Sequence, residues 1–507
     1  MKVIIHQNQQ VLRVISIDDN STVSFQEQQL VKLLQDLGIR YPEEIIGWCE
    51  ETLFPSLNAI NWKKIFHHEL IMASYSISGK FSLLSGIGYV ENSPFLKINF
   101  KNTYPTWLMS SDVGGIHAKV LNSIDKDFFK IEDFSFFINT VAKQGQINNL
   151  FCYSEPQLLQ RTEVDNLVFP KRSLQYLFRF VRQNYKPKWS FILLFNYIIY
   201  ERRFPIGAFV KAIRFNSKRK LIFDLSSIKI RFKPEKKFNK SLDVIIPTLG
   251  RSESLYKILC DFKEQSVLPK RIIIVEQNPD PNSKTELDYL VKKQWPFEIV
   301  HHFTNQLGAC HARNWALDKI ENEWVFFSDD DIRIKKNFIE AAFENIASYG
   351  TKCSTFSCVN KFGGGISNEK INQSTVFGSG NSFVKSCFLK DLRFSIELEH
   401  GYGEDMDFGI QLRNAGVDVI HFPEPQIHHL KAPTGGFRTI FESEWKKSSL
   451  KVQPAPTVLW IKLKHFTKEQ FLGYKTFYFI SQIQKGNYNL FALERRWKRS
   501  LNYANKL

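Results

Sequence analysis

The sequence predicts an α/β protein of two tandem domains, the second a mostly parallel sheet flanked by helices. The chain has 507 residues, 43% of them apolar, enough to bury two or three ordinary cores. From Lys240 onward, apolar runs of strand length alternate with segments of helical periodicity, the pattern of a parallel sheet covered on its faces. A pattern around Glu132 returns around Glu404, which points to one unit used twice. The expected divisions are an N-terminal α/β domain over 1–172, a basic aromatic helical linker over 173–239, the parallel-sheet domain over 240–437 and a basic aromatic helical extension over 438–507.

In the first third, residues 25–37 have the period of a helix and 44–49 the composition of a strand. No catalytic signature stands out. His67-His68 has no accompanying carboxylates at ligand spacing and reads as a polar surface pair. Residues 104–115 read as a loop. The internal echo begins here: Ile131-Glu-Asp-Phe-Ser-Phe136, Ala142-Lys-Gln-Gly145 and Tyr153-Ser-Glu-Pro156 match Gly403-Glu-Asp-Met-Asp-Phe408, Asn414-Ala-Gly416 and Phe422-Pro-Glu-Pro425 in order and approximate spacing. Ser/Gly-rich turns, 110–115 and 378–382, precede both. The first copy has no acidic triplet after an apolar strand, and Glu50-Glu51 is a poor substitute. It is expected to be a non-catalytic or acceptor-binding repeat.

Residues 173–240 are basic and aromatic, with Arg202-Arg203, Lys218-Arg-Lys220 and the apolar run 189–200. That run is too short to span a bilayer. Apolar residues flanked by Lys and Arg suit a helix lying in a membrane interface, and equally a helical linker packed between domains. The formal net charge of +17 suits an anionic partner. Anionic lipid headgroups and a phosphorylated donor both qualify, whereas nucleic acid is not expected because no recognition motif accompanies the charge. Seven scattered cysteines without paired spacing, and a start lacking a signal-peptide core, lead to the expectation of a cytoplasmic protein, peripheral on the inner membrane face.

The chemistry concentrates after Lys240. Three apolar runs, Leu242 to Thr248, Arg271 to Gln277 and Glu298 to Phe303, read as buried strands ending in polar residues. A fourth, Trp324-Val-Phe-Phe-Ser328, ends in Asp329-Asp330-Asp331. Three carboxylates at the end of a buried strand must meet water or a cation. Residues two apart on an extended segment share a face, so Asp329 and Asp331 can address one hard divalent ion. A solvated turn capping a helix over 334–348 is the plainer alternative. Between the third and fourth strands, Gly308 opens a helix whose amides would favour a diphosphate, with Arg313 adding charge-assisted contacts. His428-His429 follows a strand expected over 417–422. Residues 431–436 read as a mobile loop able to close over a ligand.

These residues together resemble the family 2 glycosyltransferases of the GT-A fold, over about 240–429. The matching elements are Val-Ile-Ile-Pro247-Thr248 with Arg251, Asn305-x-x-Gly308 with Ala312-Arg313-Asn314, the Asp329-x-Asp331 spacing, and Gly403-Glu404-Asp405-x-Asp407. The resemblance implies that Pro247, Thr248, Arg251 and Glu276 line a nucleoside pocket, although Glu276 stands where Asp is more usual. It further implies that Asp329 and Asp330 face the ribose and diphosphate, that Asp331 binds Mg²⁺ or Mn²⁺ with Asp329 and His429, and that Asp405, beside Glu404, is the base. The implied activity is metal-dependent, inverting transfer of a hexose from a nucleotide-sugar donor to a glycan or lipid-linked acceptor, in surface polysaccharide synthesis. The alternative is a non-catalytic sugar-nucleotide or glycan binding protein. Trp/Lys/Arg mixtures in the tail, such as Trp445-Lys-Lys and Arg495-Arg-Trp-Lys-Arg499, suit either a headgroup region or a helix packed on the domain.

Overall fold

The structure is a computed structural model that describes residues 1–160, 173–215, 224–230, 238–360, 370–399, 401–431, 445 and 452–507. The loop expected over 431–436 and the basic clusters at 218–220 and 446–447 lie almost wholly outside the described residues. The chain divides into two compact units, Met1–Phe232 with Phe466–Gly486, and Lys233–His465 with Asn487–Leu507.

The first unit contains strands β1 (Lys2–Gln7), β2 (Gln10–Ser16), β3 (Ile45–Glu50), β4 (Ile71–Tyr75), β5 (Tyr104–Pro105), β6 (Val113–His117) and β7 (Phe151–Ser154). Its helices are α1 (Leu30–Arg40), α2 (Ala59–Ile65), α3 (Ala118–Asn122), α4 (Phe134–Gly145), α5 (Leu174–Asn184), α6 (Lys188–Glu201) and α7 (Ile206–Arg214). The strands form one sheet in the order β2-β1-β3-β6-β4-β7-β5. The stretch expected as a loop over 104–115 thus contributes β5 and the start of β6. His68 is also not at the surface: it is 5% exposed and its Nδ1 accepts the Leu70 N–H.

The expected linker does not stand apart. The apolar face of α5, with Leu177, Phe178, Phe180 and Val181, is buried in the same core as Trp48, Trp107 and Phe134. Trp107 and Phe180 stack at 5.6 Å. The expected C-terminal extension is likewise divided. Helix Lys468–Gln484 belongs to the first unit, where a capping box of Thr467 and Gln470 starts it and Gln470 donates to the carbonyls of Glu91 and Ser93.

The second unit contains β8 (Leu242–Leu249), β9 (Arg271–Gln277), β10 (Glu298–Thr304), β11 (Trp324–Ser328), β12 (Ile332–Arg333), β13 (Cys353–Asn360), β14 (Asn372–Gln373), β15 (Asn381–Lys385) and β16 (Ile420–His429). Helices α8 (Ser252–Lys263), α9 (Tyr289–Lys292), α10 (Ala309–Leu317), α11 (Phe338–Tyr349), α12 (Glu404–Asn414), α13 (Pro456–His465) and α14 (Leu490–Ala504) complete it. The sheet runs β10-β9-β8-β11-β15-β13-β16-β12, with β14 beside β16. Strands β10, β9, β8 and β11 are parallel, so their C-terminal ends share one edge. β9 and β11 are buried at every position, as continuous apolar runs in a doubly covered sheet must be.

The two sheets share a plan. In the first unit β1 runs parallel to β3, β3 and β6 are antiparallel, β6 and β4 antiparallel, and β4 and β7 parallel. In the second, β8, β11, β15, β13 and β16 follow with the same senses and the same chain order. β5 and β14 both come between the corresponding strands and pair antiparallel with β7 and β16. The first unit has no counterpart of the parallel pair β9 and β10 among its described residues. The hairpin strand β2 takes that side of β1.

Candidate active site

The shared edge of β8, β9 and β11 collects the polar residues that end each apolar run. Thr248 and Glu276 are register partners on adjacent strands. Asp330 is nearly buried and receives a hydrogen bond from the Thr248 hydroxyl at 2.7 Å and one from Arg251 at 2.7 Å. Arg251 also lies 3.3 Å from Asp331, so one guanidinium bridges two carboxylates. Burial pushes Asp330 up to about 6 even with Arg251 and Thr248 beside it. Pro247 is half-buried on the same strand. The α11 cap is Asn337, so the Asp triplet does not serve as a helix cap.

Beyond Asp331 the chain enters β12, where Ile332 pairs with His429 of β16. This strand pair sets the imidazole Nε2 of His429 3.1 Å from Asp331. The expected strand over 417–422 is displaced to Ile420–His429, because pairing with β13 and β12 carries it through Pro423 and Pro425. One donor atom each from Asp329, Asp331 and His429 lie within 4.8 Å of one another. Ligands about 2.1 Å from a six-coordinate divalent ion stand about 3 Å apart when adjacent and about 4 Å when opposite, so this donor set closes on one ion after a small inward turn. Two carboxylates and an imidazole make a donor set for a divalent cation. The hydrogen bond that its ring N–H donates to the Asp331 carboxylate raises His429 above its ordinary range. Gly380 packs against Asp329, and a Cβ there would meet the carboxylate at 2.1 Å, so only glycine leaves Asp329 its position.

Asp405 is presented by α12. It stands in the first turn of α12, with its carboxylate accepting the Ser379 N–H at 3.2 Å rather than capping its own helix. Phe408, one turn along, stacks on Phe394 at 4.1 Å and meets Phe377 at 5.0 Å and Phe327 of β11 at 5.9 Å. That aromatic cluster locks the helix carrying Asp405 to the strand carrying Asp329. Arg313, 7% exposed at its side chain, lies 3.4 Å from Asp329, and its charge acts on both Glu404 and Asp405. Burial, with the neighbouring Glu404 carboxylate next, pushes Asp405 up to about 7. Burial also raises Glu404.

Two sequence expectations change. The first amides of α10, expected to meet a diphosphate beside Gly308, are occupied by Glu399. Its carboxylate accepts the N–H of Cys310 at 3.1 Å and of His311 at 2.9 Å and also meets His311 Nδ1 at 3.1 Å. The helix dipole there is satisfied from within the chain. Correspondingly, Arg313 faces Asp329 and the α12 acids, not that helix start. Glu276, implied for the nucleoside pocket, accepts from the loop that follows it, Thr285 Oγ1 at 2.6 Å and the Glu286 N–H at 3.0 Å, and meets His301 Nε2 of β10 at 2.9 Å. Burial works to raise it, and these hydrogen bonds outweigh burial and hold it below the usual carboxylate range.

Sequence reasoning missed Glu399, His301 and a second set around Asp407. Asp407 is fully buried and receives Ser395 Oγ at 2.7 Å, Gln411 Nε2 at 2.6 Å and His465 Nε2 of α13 at 2.5 Å. Tyr402 N–H donates to Thr457 Oγ1, and Gly403, at φ +108°, leaves no room for a Cβ beneath Ile461. Helix α13 therefore seats directly on the turn that presents Glu404 and Asp405.

The second unit is thus an α/β sheet whose strand ends carry an Asp-Asp-His donor set beside a half-buried carboxylate raised to about 7, a concentration of perturbed groups of the kind found at functional sites. Residues 243–398 match the family model of glycosyl transferase family 2, and the C-terminal half of the chain accordingly carries a domain of that family, of the GT-A type. Glu404, Asp405 and His429 lie beyond the matched residues. Among solved structures, S. aureus TarS 1–349 in complex with UDP-GlcNAc shares 17% identity over 46% of this chain and 69% of that one, with a TM-score of 0.35. The mannosyltransferase PcManGT from Pyrobaculum calidifontis, in complex with GDP-Man and Mn²⁺, shares 19% identity over 38% of this chain and 58% of that one, with a TM-score of 0.31. The match to the longer TarS structure spans 37% of that chain. No curated protein matches the sequence.

Proposed function

We propose that the protein transfers a hexose from a nucleotide-diphosphate donor to a hydroxyl of a glycan or lipid-linked acceptor, with inversion, in the synthesis of a surface polysaccharide at the cytoplasmic face of a membrane. The observation that carries this reading is the convergence of Asp329, Asp331 and His429 with Asp405 around Arg313. Asp331, Asp329 and His429 would hold Mg²⁺ or Mn²⁺, which when bound offsets the charge that develops on the departing diphosphate. Thr248 and Arg251 fix Asp330, and Arg251 also steadies Asp331. Asp405, with its carboxyl near 7, accepts the proton of the acceptor hydroxyl as that oxygen attacks from the face opposite the diphosphate. Single displacement inverts the anomeric centre. The first unit, with the same strand plan and no parallel pair corresponding to β9 and β10, is read as a diverged copy of the second.

Donor turnover measured with Mn²⁺ tests this reading. Asp331→Ala and Asp405→Asn are each expected to lower kcat by about 10²-fold or more. Donor binding that survives in all three proteins with no turnover in the wild type would instead mark a sugar-nucleotide binding protein.

A further inference from the structure

Helix α6 is turned the wrong way for a soluble protein. Its inward face carries Ser190, Leu193, Asn196 and Tyr197, with the buried Asn196 amide oxygen accepting from Thr476 at 2.5 Å. Its outward face carries Phe191, Phe195 and Ile199, at i, i+4 and i+8, exposed by 56%, 48% and 40%. Surface helices ordinarily bury that stripe. The connection and α7 extend it: Phe204, Ile206, Val210 and Ile213 are all exposed, and Phe191 meets Phe209 edge-on at 5.0 Å, so the two helices are neighbours.

We propose that the outward face of α6 and α7 is a membrane-docking surface that lies in the headgroup region of an anionic bilayer. Charge complementarity selects that occupant. Lys188, Arg202, Arg203, Lys211 and Arg214 are exposed around the apolar residues. Glu201 is the one carboxylate between Lys186 and Arg214, and it is engaged by the Tyr89 hydroxyl at 2.6 Å. Apolar side chains that enter the acyl boundary beneath a ring of cations with almost no carboxylate among them form the pattern of a helix in an anionic membrane interface. Spanning is excluded by length. The 14 residues of α6 extend about 21 Å, short of the roughly 30 Å hydrocarbon core, and no helix among the described residues is long and apolar enough to cross a membrane. The docking surface is independent of the transfer reaction, because no residue of the candidate active site belongs to it.

Co-sedimentation of the full chain with phosphatidylcholine vesicles, with and without phosphatidylglycerol, tests the proposal. The wild type is expected to bind the anionic vesicles, less tightly as salt rises, and to bind neutral ones weakly. Phe195→Glu with Phe204→Glu should weaken binding by about 10-fold or more, and Lys211→Gln with Arg214→Gln should do so on anionic vesicles alone, by about 10-fold. Both variants change exposed side chains, and a thermal melt equal to that of the wild type confirms that they fold. Equal vesicle binding by the wild type and the Phe variant overturns the proposal. So does a wild type that ignores vesicles but self-associates through a contact that the Phe variant abolishes, which would make this face an interface between copies. Turnover on a soluble acceptor reports the catalytic reading separately.

Discussion

Asp405 is half-buried, and its surroundings decide its proton. Burial and the adjacent Glu404 raise it to about 7, while Arg313 and the Ser379 N–H pull the other way and Asp329 adds to the rise. A base must be ionised to accept a proton, so kcat is expected to climb as pH passes upward through about 7 and to level off above it. A pH–rate profile of the wild type checks this; a profile flat from pH 5.5 to 8.5 would remove Asp405 from the role. The same group has a consequence for stability, with the opposite slope. A carboxyl raised in the folded state binds more protons there than in the unfolded chain between 3.8 and about 7, so stability falls as pH rises through that window. A rise of that size costs at most about 4 kcal/mol above pH 7. Asp405→Asn removes the charge and keeps the shape, and is therefore expected to raise the melting temperature at pH 8 while abolishing turnover. Gain of stability with loss of activity is an outcome that a merely structural residue would not give.

At the scale of elements, α12 is held by packing on one side and by α13 on the other. The Phe327, Phe377, Phe394 and Phe408 cluster fixes its distance from β11, and the Asp407–His465 hydrogen bond at 2.5 Å fixes its first turn against α13. His465→Ala leaves the buried Asp407 carboxylate with one partner fewer, at a cost of about 1–3 kcal/mol. Because the proposed function places donor binding on β8 and β11, the variant is expected to lower kcat several-fold with the KM for donor nearly unchanged; the reverse split would mean that α13 shapes the donor side. These elements also mark where the sequence is readable. Strand ends are legible because a buried apolar run followed by Thr248, Glu276 or Asp329 announces an edge, and the donor set Asp329 and Asp331 follows from the two-residue period of an extended chain. Glu399 and His465 are not legible. Their partners lie 89 and 58 residues away, and only tertiary packing brings a carboxylate onto the α10 amides or an imidazole onto Asp407. Helices α5 to α7 carry the composition of a linker, yet α5 turns its main apolar face into a core while α6 buries only Leu193 and Tyr197 there and leaves Phe191, Phe195 and Ile199 outside, a distinction that depends on what each face meets.

Across the whole molecule, two sheets repeat one order of strands, and comparing their equivalent positions separates what the plan does from what the residues do. β3 occupies in the first sheet the place that β11 occupies in the second, so Glu50 and Glu51 stand where the Asp triplet begins. Their surroundings differ. Glu50 accepts the Asn8 N–H and lies 3.0 Å from the nearly buried imidazole of His6, and Glu51 pairs with Arg13 at 2.9 Å. Carboxylates already engaged by an imidazole, a backbone N–H and an arginine are less available to a cation, and Asp329, Asp331 and His429 are the one candidate donor group among the described residues. A Ser/Gly turn, a returning helix and a final strand recur in both units, which explains why the echo is visible in sequence although the acids are not. Titration calorimetry with Mn²⁺ should therefore give one ion per chain. Glu50→Gln should leave that stoichiometry and the affinity unchanged within about twofold, since removing a carboxylate already occupied by its own neighbours alters no cation contact. Asp331→Ala should abolish the binding isotherm. Two ions per chain, the second lost in Glu50→Gln, would show that the first unit kept a metal centre and is a second donor-binding domain.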